Sequence, residues 1–224
     1  ARLEEYLGAT PEFPDGTPGR IERRRLGREI EAVAARASEL RSGAKLRDTL
    51  LSVQVEEQVV EARLQDLDER ARVLHRFTRV HRKAELATWV EHLLLNAADD
   101  PDLPKETRLV LRGTEKLPSV VSYREVSSAR EHLAQLLELY RQSLAEPVPL
   151  MERASLEYVA SLDGGLKKAL SAASKAYDAQ RKWDARLRYL FGEEDPFEDP
   201  VWSNAFAEVA EAVYRPLLDH RSES

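Results

Sequence analysis

An abrupt change of period constrains this chain most. Leu51, Val53 and Val55 alternate with Ser52, Gln54 and Glu56, and Val60, Ala62 and Leu64 then alternate with Glu61, Arg63 and Gln65. A two-residue period puts one set of side chains in a core and the other in water, so both runs read as strands. A third run, Arg72 to Phe77, follows the polar turn Asp68-Glu69-Arg70, and the three can close as an antiparallel meander. From Lys83 the period becomes helical, with Leu86, Val90, Leu93 and Leu94 on one stripe. Three paired strands leading directly into a covering helix predict a sheet layered with helices.

The rest of the chain fits that architecture. Ile30, Val33, Ala34, Ala37 and Leu40 mark a helix from Ile21 to Arg41, stopped by Ser42-Gly43. Asp99 to Pro104 is a surface loop, and short strands at Thr107 to Arg112 and Leu117 to Ser122 extend the sheet at an edge. A strong stripe from Val126 to Tyr140 is helical and ends by Pro147-Val148-Pro149. A helix from about Leu166 to Tyr189 follows Asp163-Gly164-Gly165, and after the acidic loop Gly192 to Pro200 a last helix carries Trp202, Phe206, Val209, Val213 and Leu217. The fold class is α/β (α+β): a small mixed sheet with an antiparallel meander, covered by helices. The turn formers between Pro11 and Gly19 mark residues 1–19 as a linker, leaving residues 20–224 as one domain.

Composition narrows function by exclusion. An apolar fraction of 42% with 33% charged residues is that of a globular chain. No run approaches the roughly 18 apolar residues of a membrane helix, so the expected setting is the cytoplasm, without a membrane partner. The absence of cysteine removes disulfides, thiolate metal sites and cysteine nucleophiles. The net charge is -6, yet six Lys or Arg and two His lie between Arg70 and Lys83 with no acid among them. Such a local positive patch suits a confined track for a phosphate backbone, although a solvated basic turn has the same composition.

Three strands leading into a helix also form the frame of the PD-(D/E)xK (restriction-endonuclease-like) nucleases. That chemistry needs an acid on the second strand and an acid-x-lysine on the third, converging on a divalent ion. Here those positions fall at Gln65, His75 and Phe77, none of which is an acid or a lysine. Asp66, Glu31 or Glu61 are the acids nearest to substituting for them. His75, His81 and His92 are too scattered for a metal set, and no H-E-x-x-H, G-x-S-x-G, P-loop or G-x-G-x-x-G occurs. The expectation is no catalytic residue, no metal and no cofactor. Trp89, Trp183 and Trp202 all fall on expected helices, where packing is the main reading and base stacking the minor one: Trp89 reads as core, and Trp202 is divided between core and partner surface.

Ala87 to Leu93, the helix ending Glu138-Leu139-Tyr140-Arg141, the run Ala176 to Gln180, and Asp199 to Trp202 followed by Pro216-Leu217 together resemble the C-terminal domain of RecC, the gamma chain of exodeoxyribonuclease V. The resemblance spans about Leu46 to Leu218 and rests on collinear order rather than on one motif. It implies a degenerate, catalytically inactive nuclease fold, part of an ATP-dependent helicase-nuclease for double-strand break repair and homologous recombination. The implied role is scaffold and guide for a DNA strand at a fork, beside RecB-like and RecD-like motor subunits. On that reading Arg72, Arg76, Arg79, Arg82 and Lys83 contact DNA phosphates, and Trp202 and Phe206 meet a partner subunit. The alternatives are an active nuclease with displaced ligands and a helical protein-binding adaptor.

Overall fold

The computed structural model describes residues 14, 16–78, 81–113, 117–192 and 194–224, with only the backbone of His81. A 26-residue helix, α1 (Gly16–Arg41), ends where Ser42 and Gly43 take φ angles of 49° and 72°, a left-handed turn that glycine tolerates without strain. It already includes Gly16 to Gly19, so helix begins within the stretch expected to be linker.

Six strands follow the chain order in one sheet: β1 (Arg47–Val55), β2 (Gln58–Leu67), β3 (Arg72–Arg76), β4 (Thr107–Leu111), β5 (Ser119–Tyr123) and β6 (Arg221–Glu223). The expected meander is present, since β1 pairs antiparallel with β2 and β2 with β3. The turn between β2 and β3 is built by buried Asp68, whose carboxylate accepts the amides of Arg70 and Ala71 at 2.7 and 2.8 Å. β3 and β4 run parallel, and the helix α2 (His81–Ala97) makes the crossover that parallel strands require. β4 and β5 are therefore interior strands rather than an edge extension, and the edge on that side is β6, which pairs antiparallel with β5. Nothing in Arg221-Ser222-Glu223 has strand propensity; side chains hold it, with Arg221 on Glu85 at 2.6 Å and Ser119 on Glu223 at 2.7 Å.

The two faces of the sheet are covered unequally. On one, Val33 and Ala37 of α1 pack against Ala71, Val73, Val110 and Val120. On the other lies the main core, where Leu51, Leu64, Leu74, Leu109 and Val121 meet Trp89 and Leu93 of α2. Trp89 is 1% exposed, as its place on the covering helix predicts. The remaining helices pile onto this second face: α3 (Ala129–Ala145), α4 (Glu152–Ala160), α5 (Leu166–Arg181), α6 (Ala185–Phe191) and α7 (Pro200–His220).

Two of these depart from the expected pattern. α4 falls where no element was expected, in a stretch whose stripe of Ala154, Ser155, Tyr158 and Val159 is too short to stand out. The single helix expected from Leu166 to Tyr189 is broken, because Asp184 caps a new one by accepting the amide of Arg186 at 3.0 Å. Trp183 consequently sits in a turn between α5 and α6 instead of on a helix.

Candidate nucleic-acid interface

The basic run does not act as one patch. Arg72 shares the α2-facing side of β3 with Leu74 and is 3% exposed; its Nε donates to the Gln65 carbonyl at 3.0 Å, and its guanidinium lies 2.7 Å from the Glu91 carboxylate on α2. An arginine held this way cannot reach a phosphate, which corrects its expected role. Arg76 is exposed at the end of β3 and, among the described residues, donates only a long 3.4 Å bond to the His75 carbonyl. Arg79 lies outside the described residues.

Arg82 and Lys83 open α2 and line a groove of about 720 Å³ with Arg153, Trp183 and Arg186. Arg82 reaches Glu157 at 3.4 Å and Lys83 reaches Glu152 at 3.9 Å, both acids being on α4, while the Lys83 side chain remains 76% exposed. Asp184 is gripped by Arg186, whose hydrogen bonds hold that carboxyl below the usual carboxylate range. The groove runs on past Leu150 into an apolar trough floored by Leu86, Val90 and Leu137.

The corner corresponding to the nuclease frame holds a different chemistry. Gln65 is exposed and donates to Asp48 at 3.3 Å. The register slips between Arg47 and Thr49, and Asp66 adopts a φ of 63°, so a bulge swings it from simple alternation onto Arg41 of α1 at 3.2 Å. Past the ends of β3 and β4, the Arg112 guanidinium stacks 5.0 Å over the Phe77 ring and pairs with Glu29 of α1. Partial burial, then the charges of Arg41 and Arg76 working against Asp66, hold the His75 imidazole below its ordinary pKa. The three carboxylates here are each paired with an arginine, Glu29 with Arg112, Asp66 with Arg41 and Asp48 with Arg63 at 3.0 Å. Glu31 and Glu61 point to water. Among the described residues, no three acids or histidines gather closely enough to hold a metal ion.

A family model described as the RecC C-terminal domain matches residues 1–163. The chain belongs to that family. This makes it part of a RecC subunit, the gamma chain of exodeoxyribonuclease V. The match takes in residues 1–45, which the collinear resemblance left aside, and stops at residue 163, before the Ala176 to Gln180 and Asp199 to Leu217 segments. None of the curated proteins compared with the chain matches it significantly.

Beyond the matched part of this RecC domain, the expected partner residues are only partly available. Phe206 is fully buried, so it serves the core and not a partner surface. Trp202 is half-buried and stacks on Phe206 at 5.4 Å with 14° between the rings, while Phe197 meets both edge-on. This cluster ties the acidic loop to α7. Two of the loop's acids cap helices: Asp199 accepts the Val201 amide at 2.8 Å, and Asp195 accepts the Phe197 amide at 3.0 Å and the Ser174 hydroxyl at 2.6 Å. No described helix of the RecC domain is long and apolar enough to cross a membrane.

Proposed function

We propose that this RecC domain has a degenerate PD-(D/E)xK nuclease frame without the metal chemistry, and that it works as a scaffold guiding one DNA strand toward RecB-like and RecD-like motor subunits. The observation that carries this reading is the corner where α1 meets β3 and β4. A hydrolytic site needs carboxylates free to accept Mg²⁺, and here Glu29 faces Arg112 and Asp66 faces Arg41. A divalent cation would have to displace guanidinium groups already paired with these carboxylates, and like charges repel it. With that chemistry set aside, what remains is a set of basic side chains at the end of β3 and the start of α2. Arg76, Arg82 and Lys83 suit phosphate contacts, which position a strand without reading its sequence.

The test is a plasmid-nicking assay with Mg²⁺ or Mn²⁺, together with co-purification against RecB-like and RecD-like subunits. The expected result is no nicking and stable co-purification. Metal-dependent cleavage abolished by Asp66→Ala would establish the active-nuclease alternative instead.

A further inference from the structure

Trp183 is 89% exposed, more than any other tryptophan here, and its backbone lies in a turn. Its own amide and that of Asp184 both donate to the Gln180 carbonyl at 3.0 Å, so the indole is presented from a hydrogen-bonded turn rather than from a loose tail. It stands in the wall of the groove containing Arg82, Lys83, Arg153 and Arg186. We propose that this groove is a stacking site for single-stranded nucleic acid, in which a base lies on the Trp183 indole and the flanking phosphates meet Lys83 and Arg153.

Charge complementarity selects this occupant. The groove is lined by four cations and two acids, Glu152 and Asp184, and a third acid, Glu157, pairs with Arg82 at 3.4 Å, which leaves one cation in excess. Asp184 is committed to Arg186, and Glu152 touches Lys83 at the loose limit of 3.9 Å. Arg153 has no ion pair among the described residues, and its Nε is buried without an acceptor. The surplus is therefore positive and sits beside an exposed aromatic plane. Cations tracking a backbone, next to a ring that accepts any base face, are how proteins hold single strands without reading sequence.

The proposal rests on the strand-guiding reading and adds to it a contact at Trp183, beyond residue 163, where the family match ends. The test uses the full 224-residue chain and measures fluorescence anisotropy with labelled oligothymidylate and with an abasic oligomer of the same length. The unmodified protein should bind the thymidylate about tenfold more tightly than the abasic strand. Trp183→Ala should abolish that preference and Trp183→Phe should keep most of it, whereas Arg153→Ala should weaken both strands alike. The proposal is overturned if Trp183→Ala leaves the preference intact. It is also overturned if Trp183→Ala disturbs co-purification with the motor subunits while base preference persists, since the groove then seats protein. Equal binding of both oligomers, weakened by Arg76→Glu, would sink the stacking site alone. Binding of neither would sink the strand-guiding reading with it.

Discussion

Arg72 and the pair Arg82-Lys83 come from one acid-free run of sequence, yet the fold sends them to opposite environments. Arg72 is trapped between β3 and α2, 3% exposed and facing Glu91. Arg82 and Lys83, at the start of the same α2, face an open groove and acids on α4. Local charge density says that cations are present but not which way they point; direction comes from the period of the element that carries each one. On β3, Arg72 shares parity with Leu74, whose side chain belongs to the main core, whereas Val73 belongs to the α1 side. A cation in step with a core leucine has to bring a partner inside, and Glu91 is that partner.

The most severe way to break this contrast is to strand the inner arginine. Glu91→Ala leaves a guanidinium with 4% side-chain exposure facing no carboxylate. Breaking a buried pair from one side costs about 3–5 kcal/mol. Because Glu91 is itself 37% exposed and Arg72 keeps its bond to the Gln65 carbonyl, the lower end applies, about 3 kcal/mol. Arg72→Met removes the charge and keeps much of the volume, so it should cost clearly less. Urea denaturation of both variants checks the order. Equal losses would mean that Arg72 acts by packing and that its pairing with Glu91 is incidental.

A second inner group on α2 gives a pH-dependent version of the same test. His92 is fully buried, its Nε2–H donating to the Arg124 carbonyl at 3.0 Å and its Nδ1 lying 2.9 Å from the Thr107 hydroxyl. Burial above all, with the His220 and Arg72 charges adding and the Arg124 carbonyl and Glu106 opposing, lowers its pKa from 6.5 to about 4. The unfolded chain therefore binds a proton between pH 6.5 and about 4 that the folded chain refuses, and stability falls as pH falls through that window. The full loss approaches about 3 kcal/mol. His92→Gln should flatten this segment of the stability-pH curve in a denaturation series, whatever it does at neutral pH. A curve of unchanged slope would place the titration elsewhere.

Much of the sheet is legible in residue periodicity and much of the site is not. β1 and β2 alternate because only one of their faces meets the core, so the signal is clear: β1 is buried at Leu51, Val53 and Val55 and open between them. β4 reads as a short apolar run because it is covered on both sides, and such a run does not show whether it lies at an edge or between neighbours. β6 has no signal of its own, since Arg221 and Glu223 are held by Glu85 and Ser119 from distant parts of the chain. In the groove, the sequence marks Arg82 and Lys83, and it marks Trp183 only as a tryptophan on a helix; Arg153 and Arg186 carry no signal of their own and arrive from α4 and the α5–α6 junction. One local cue was available, because Asp184 ahead of Ala185 to Phe191 is a helix start, and a helix start there puts Trp183 in a turn. The corner of Glu29, Arg41, Asp66 and Arg112 depends on α1 docking across the sheet and on a bulge at Asp66, neither of which is written in local periodicity.

The smallest expected effect on stability falls on the outer arm of the comparison. Lys83→Ala removes an ammonium that is 76% exposed and 3.9 Å from Glu152, so unfolding free energy should move by no more than about 0.5 kcal/mol. Its effect on single-strand binding should be large by contrast. One lost phosphate contact lowers the slope of log affinity against log salt by about 0.7 for a single strand, and affinity at low salt drops several-fold. Glu91→Ala, measured where the protein is still folded, should leave that slope alone, since Arg72 is buried between β3 and α2. A salt slope that responds to Glu91→Ala and ignores Lys83→Ala would reverse the assignment of inner and outer cations. It would point to a groove that closes through α2 when a strand binds.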